Sequence, residues 1–418
     1  MRKYKSITIK SSILFILCLF ATSCFDPIYE AIREDVEPEE ATVSGNITTI
    51  TRYTASDQEF LVLAADDGLR YKHKDLNNHG EWITYPVPFD LHHYDFDSSS
   101  HSGEQIIAVL SDSSLLYMLT AVFDHTSVEG TSYPATIKLY AKNIVANGTT
   151  WSTEGDWVTV PTTVGDYDIF PIYADSSNEY FLSGFRILQT NAPKKEHRAV
   201  FIRSYDLGDD DDDDTGTYRY FQLNGTAAPV EFTLPEASII DPEPSTDEDY
   251  IPLALSVVYF NGAYKFFTSP AATTNETYTS DATYYYYTNR DSDLYYSDGN
   301  TAVDALDADK VISTLAVTAD SILIGHGKPG SSAGGINRVL LTDGVPASAL
   351  GSFSDINSNA KFQITNDYYV TALINASPEK TEVESALYAA ITFSGTAYNF
   401  ENIGLWSYYP ERGDWNRE

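Results

Sequence analysis

The sequence predicts an all-β protein, on three observations. After residue 45, apolar residues almost never recur at helical spacing. Strand-favouring residues are abundant instead, with 31 Tyr and 20 Phe among 418 residues. Asn-Gly, Asp-Gly and single Gly residues break them up as turns would. Third, short apolar runs recur at a coarse period. They are "EFLVLAA" at 59–65, "SLLYMLTAVF" at 114–123, "EYFLSGF" at 179–185, "PLALSVVYF" at 252–260, "SILIGHG" at 321–327 and "DYYVTALI" at 367–374. Taking 60, 115, 180, 254, 321 and 368 as run starts, the spacings are 55, 65, 74, 67 and 47 residues.

A second kind of segment follows most of the runs: a strand ending in Leu or Tyr, a polar turn, and often an aromatic residue. Examples are "GLRYKHKDLNNHGEW" at 68–82, "IKLYAKNIVANGTTW" at 137–151, "DLYYSDGNT" at 293–301, "NRVLLTDG" at 337–344, "SALYAAITFSGTAYNF" at 385–400 and "GLWSYYPERGDW" at 404–415. The first and last both open Gly-Leu and close Gly-acid-Trp. Four-stranded sheets stacked face to face around an axis account for this alternation. Inner strands covered on both sides read as continuous apolar runs, whereas half-wet outer strands alternate. Radial repetition also leaves only short sheet edges in a chain without helices to cover them. The expectation is a β-propeller over residues 45–418, with six blades favoured and seven possible. A pair of β-sandwiches is the competing arrangement. The Gly-Leu-Tyr and Trp segments resemble the repeats of bacterial Asp-box-like propellers.

The N-terminus reads differently. Arg2, Lys3, Lys5 and Lys10 precede an apolar run from Ile13 to Ala21. That run is far shorter than the ~20 residues that span a bilayer as a helix. A basic start, a short apolar centre and small residues form a secretory signal. Ala21, Thr22 and Ser23 lead into Cys24. This stretch resembles the lipobox of bacterial lipoproteins, of a looser kind familiar in spirochaetes, with Ala21 where Leu is commonest. The resemblance implies cleavage before Cys24 and lipidation of its sulfur, the nucleophile such chemistry needs. Residues 1–23 are then a signal peptide and 24–44 the lipidated cysteine with an acidic tether. Within that tether Ile28, Ile32 and Val36 fall at one helical face. Cys18 is the chain's other cysteine, so the processed chain has no internal disulfide.

The chain holds 26 basic and 60 acidic residues, a net charge of −34. Loss of the four basic residues before Cys24 leaves 22 against 60, a net of −38. Such a field repels nucleic acid and anionic headgroups. The expected attachment is a lipid-held, extracytoplasmic membrane surface, at the periplasmic face or the cell surface. A monomer is expected.

Four places carry candidate chemistry. In "DLHHYDFDSSSH" at 90–101, a strand would put His93, Asp95 and Asp97 on one face. Imidazole with two carboxylates suits a divalent metal, although no standard motif spacing is present. The run of six aspartates at 209–214 and "NRDSDLYYSDGN" at 289–300 could attract calcium weakly, without the geometry of a built site. No other cofactor is expected. "FRIL" at 185–188 is similar to the Phe-Arg-Ile-Pro motif of sialidase propellers, with Leu188 in place of Pro. That likeness implies that Arg186 contacts an acidic sugar, but the remaining catalytic set of that family has no match here. The tyrosines at 284–287 suit stacking on sugars or packing between sheets.

These readings favour a non-enzymatic binding module for a protein or glycan of the cell envelope. The alternatives are a glycan-active hydrolase or lyase and a structural or assembly lipoprotein.

Overall fold

The structure is a computed structural model. It describes residues 43, 47, 49–65, 68–74, 81–91, 103–124, 133–174, 181–206, 217–234, 250–260, 262–272, 292–296, 302–306, 312–327, 334–342, 345–352, 362–365, 367–393, 403–411 and 413–418. Cys24 lies outside these residues, as does the tether at 24–44 apart from Val43, which is buried. His93, Asp95, Asp97, the aspartates at 209–214 and the tyrosines at 284–287 also lie outside them.

Val43–Glu418 is one compact unit. Among the described residues it holds six four-stranded antiparallel sheets, each formed from consecutive chain. They span 50–85, 103–160, 185–232, 250–306, 312–352 and 368–417. Strand order runs from the innermost strand outward along the chain in five of them. In the second sheet the outermost place goes to Val158–Val160, after a small hairpin at 146–151. The innermost strands are Ile50–Ala55, Gly103–Ser111, Phe185–Gln189, Tyr250–Phe260, Ile312–Val317 and Tyr368–Asn375.

Each sheet packs on the next, and the last packs on the first. Tyr53, Phe60, Val62 and Tyr71 of the first sheet meet Val109, Leu116 and Met118 of the second. Trp151 fills the seam, stacked on Tyr71 at 4.1 Å between ring centres. Leu110, Tyr117 and Leu119 meet Val200, Ile202 and Phe221 of the third sheet. Leu188 and Phe201 meet Val257 and Phe266 of the fourth. The innermost strands of the fourth and fifth sheets lie side by side. Leu323 and Ile336 then meet Val370, Leu387 and Trp406 of the sixth. Ile50, Leu61 and Leu63 close the circle against Ala372, Ile374 and Tyr388. The molecule is therefore an all-β propeller, as the sequence predicts.

Closure is also polar. Glu418 accepts bonds from Lys72 Nζ at 2.6 Å and Trp82 Nε1 at 2.9 Å, tying the end of the sixth sheet to the first. The fifth and sixth sheets approach so closely that only glycine fits. A Cβ on Gly325 would lie 2.8 Å from Val370 Cγ1, and one on Gly327 would lie 2.8 Å from Tyr369 Cα.

The apolar runs fall one per sheet, with one shift in position. Those at 59–65, 114–123 and 321–327 form second strands, while those at 252–260 and 367–374 form innermost ones. The run at 179–185 ends where the third sheet begins, and the apolar strand there is Val200–Asp206. The reason is geometric. Near the axis an innermost strand meets other innermost strands rather than a broad apolar face, so polar side chains are accommodated there. Ile50–Ala55 reads Ile-Thr-Arg-Tyr-Thr-Ala and is nevertheless almost wholly buried. The Gly-Leu resemblance between 68–82 and 404–415 has a structural counterpart. Gly68 and Gly404 each open a third strand, with φ of 130° and 128° respectively.

Candidate axial binding site

The innermost strands end at the same face of the propeller, where a narrow recess opens. Much of the roughly 350 Å³ of space between its atoms is open solvent, and the enclosed part has room for about one water. Val257, Val258, Leu315 and Leu373 supply apolar walls, while Asn191, Tyr259 and Asn375 supply polar groups. Four consecutive sheets, the third to the sixth, contribute to it.

Asn191 connects this recess to a polar cluster on the first sheet. Its Oδ1 accepts from Arg52 N at 3.1 Å and from Thr51 Oγ1 at 3.4 Å. Gln189 Nε2 adds a third bond at 3.3 Å. Thr51 Oγ1 also lies 2.8 Å from Ser111 Oγ on the second sheet. Three innermost strands are thus joined through side chains at one end of the axis.

Strand register places the charges. Thr54 lies opposite Glu59, and Arg52 is two residues before Thr54, so the three share one face. Glu59 Oε2 accepts from Arg52 Nη2 at 3.0 Å and from Arg198 Nη2 at 2.7 Å. Glu59 Oε1 accepts from Thr54 Oγ1. Arg198 arrives from the third sheet, just after the short 3-10 turn Lys195–His197. Its Nε donates to Ala192 O at 3.2 Å, and its Nη1 donates to Thr54 Oγ1 at 2.9 Å. Both arginines are 2% exposed. Burial lowers the Arg52 pKa to about 10, and the neighbouring Arg198 charge adds to that fall. Burial opposes ionisation of Glu59, but Arg198 and Arg52 together hold its carboxyl below the usual range.

The rim beside this cluster is charged and aromatic, with Glu196 and Asp57 exposed among its lysines. Lys194 and Lys195 are exposed. Lys195 Nζ lies 3.0 Å from Asp57 Oδ1 at the tip of the first hairpin. Ser56 and Asp57 there have φ of 48° and 63°, as a tight hairpin turn of the first sheet requires. His197 stacks on Tyr259 with ring centres 4.0 Å apart. Sequence reasoning missed this site. Its only visible sign was the run Lys-Lys-Glu-His-Arg at 194–198 in so acidic a chain.

Arg186 also sits on an innermost strand, in register with Arg203. Its Nη2 donates to Ser313 O of the fifth sheet at 3.1 Å, bracing the third sheet against a more distant one. Among the described residues, no group of three His, Cys, Asp or Glu side chains is placed to hold a metal ion.

No protein-family model matches the sequence, and no curated protein matches it. Solved structures are similar in chain trace at low identity. A glycosyl hydrolase from Bacteroides ovatus is 9% identical, with 88% of this chain and 86% of that chain covered and a TM-score of 0.30. A structure of the GH130 family of mannoside phosphorylases, described as containing glycoside hydrolases that target beta-1,2 mannosidic linkages in Candida mannan, is 8% identical, with coverage of 88% and 86% and a TM-score of 0.31. The C-terminal domain of gp131 from bacteriophage phiKZ is 9% identical, with coverage of 88% and 93% and a TM-score of 0.32.

Proposed function

We propose that this chain is a lipid-anchored, extracytoplasmic propeller that binds a protein or glycan of the cell envelope at the axial recess. The single observation that carries the reading is that recess. Four sheets supply its walls, two asparagine amides and Tyr259 line it, and His197 stacks on Tyr259. Concave, mostly apolar sites with a few fixed polar groups are what ligand recognition uses. The lipobox-like "ATSC" at 21–24 supports the anchor. Two or more acyl chains at ~0.8 kcal/mol per buried CH₂ would hold the chain stably on a membrane. The net charge of −38 after processing keeps the body off nucleic acid and anionic headgroups. Weak calcium attraction to the aspartate run at 209–214 belongs to the same reading.

Affinity capture tests the binding reading, with the full lipidated chain in detergent as bait and envelope extract as source. Capture of one specific component, unchanged by chelator, is the expected result. Capture of nothing specific sinks it. Release of reducing ends from an envelope glycan by the purified chain would replace it with a glycan-active enzyme.

A further inference from the structure

The loop at 376–386 joins the first two strands of the sixth sheet and begins at the edge of the recess. Asn375 lines the recess, as does Val317 of the fifth sheet. Asn375 Nδ2 donates to Val317 O at 2.9 Å and to Ser385 Oγ, near the far end of the loop, at 3.1 Å. Further bonds tie the loop to the fifth sheet. Ala319 N donates to Lys380 O at 2.7 Å, and Glu382 N donates to Asp320 Oδ1 at 2.8 Å. The Glu382 side chain completes the set. Its Oε2 accepts from Arg338 Nη1 at 3.0 Å and from Ser321 Oγ at 3.4 Å.

Glu382 is the loop's one inward-facing charge among the described residues. It is 2% exposed, whereas Glu379, Lys380 and Glu384 on the same loop are exposed. Its other oxygen, Oε1, is buried without a hydrogen-bond partner. An anionic oxygen without a donor is costly to bury, and a neutral carboxyl much less so. The groups that face Glu382 divide. Arg338, on the third strand of the fifth sheet, favours the anion, while Asp320 in the adjoining hairpin opposes it. Tyr408, on the third strand of the sixth sheet, is close enough to feel the same charge and brings no cation. Burial outweighs the arginine and raises the carboxyl pKa.

We propose that the loop at 376–386 is a pH-sensitive latch at the recess, closed on the fifth sheet when Glu382 carries a proton and lifted when Glu382 is ionised. Lifting brings Oε1 to water and so relieves the buried charge. Because Asn375 anchors the loop and bonds Val317, lifting also loosens the recess wall between them. The sign follows from linkage. A carboxyl whose pKa is raised in the closed state favours closure fully below its ordinary value of ~4.3, and that preference is lost as pH rises through the raised value. A rise of ~1 in that value makes closure ~10-fold more favourable in acid than at neutral pH. The latch acts whatever the recess binds.

Hydrogen exchange in the full chain tests the latch, with exchange times scaled so that free amides exchange equally at ~pH 5 and ~pH 7.5. Peptides over 376–386 should be several-fold better protected at the lower pH, while 321–327 in the fifth sheet should not change. Glu382→Gln keeps the side-chain shape and cannot ionise, so its loop should be equally protected at both. A wild-type loop with the same protection at both pH values overturns the latch, as does an equal change in Glu382→Gln. Should that variant not fold, carbon-13 NMR of the Glu382 carboxyl in wild type decides. Its titration midpoint must lie above ~4.3 and coincide with the loop's loss of protection; any other result overturns the latch.

Discussion

Lys72 Nζ lies 2.6 Å from Glu418 Oε2, and this buried pair joins the first sheet to the end of the sixth. The lysine side chain is fully buried and the glutamate nearly so. The Lys72 ammonium also lies 5.7 Å from the Trp82 ring centre and 5.6 Å from that of Tyr388. The propeller is thus closed by an ion pair set among aromatic rings, together with the apolar seam around Leu63 and Ile374.

Breaking that pair on one side should be far worse than removing it whole. Glu418→Ala leaves a buried ammonium unpaired and should cost ~3–5 kcal/mol in urea unfolding. The double variant Lys72→Met with Glu418→Leu should recover most of the loss. A single-variant cost under ~1 kcal/mol would mean that the pair does not hold the closure.

Glu59 should make the protein acid-sensitive at the axial cluster. Its folded carboxyl is more acidic than the ordinary value of ~4.3. Stability from its ionised form is therefore complete above that value and lost as pH falls through the lowered one. The difference in unfolding free energy between wild type and Glu59→Gln should shrink as pH falls below ~4. A difference independent of pH contradicts the pairing with both arginines.

Glu382 should behave in the opposite sense. Burial raises its carboxyl pKa, and the Arg338 bond at 3.0 Å offsets this only in part. Its contribution is complete below the ordinary carboxyl value and lost as pH rises through the raised one. The stability gap between wild type and Glu382→Gln should narrow as pH rises above the ordinary carboxyl value of ~4.3. Two arginine-paired carboxylates with opposite pH slopes are a sharper test than either alone.

The close approach of the fifth and sixth sheets predicts intolerance of a single methyl group. Gly327→Ala should lower stability by ~1–3 kcal/mol, since the new Cβ would press on Tyr369 backbone as well as its ring. Thermal unfolding measures this. Unchanged stability would mean that the sheets separate without penalty.

Much of this fold was legible because its second and third strands keep simple patterns. "EFLVLAA" and "SILIGHG" are buried on both faces and look so. Gly68 and Gly404 mark equivalent third strands in sequence and in backbone conformation. The axial strands were not legible. Thr51, Arg52 and Thr54 make half of the short strand Ile50–Ala55 polar, as in a wet strand, although Arg52 is 2% exposed. Glu59 looked like the polar start of an apolar run, and its two arginines lie 7 and 139 residues away. No local pattern reports a partner so distant; only closure of the ring brings Arg198 to Glu59. The sequence instead drew attention to Arg186, whose axial position is real and whose observed partner is the Ser313 carbonyl.

The central claim is that the axial recess is where this protein meets its partner. Val317 is half-buried and lines that recess. The most direct test compares envelope capture by wild type and Val317→Trp, with circular dichroism and melting temperature as controls for folding. The account predicts that the filled recess captures at least 10-fold less while the fold persists. Equal capture of the same component by both proteins would contradict it.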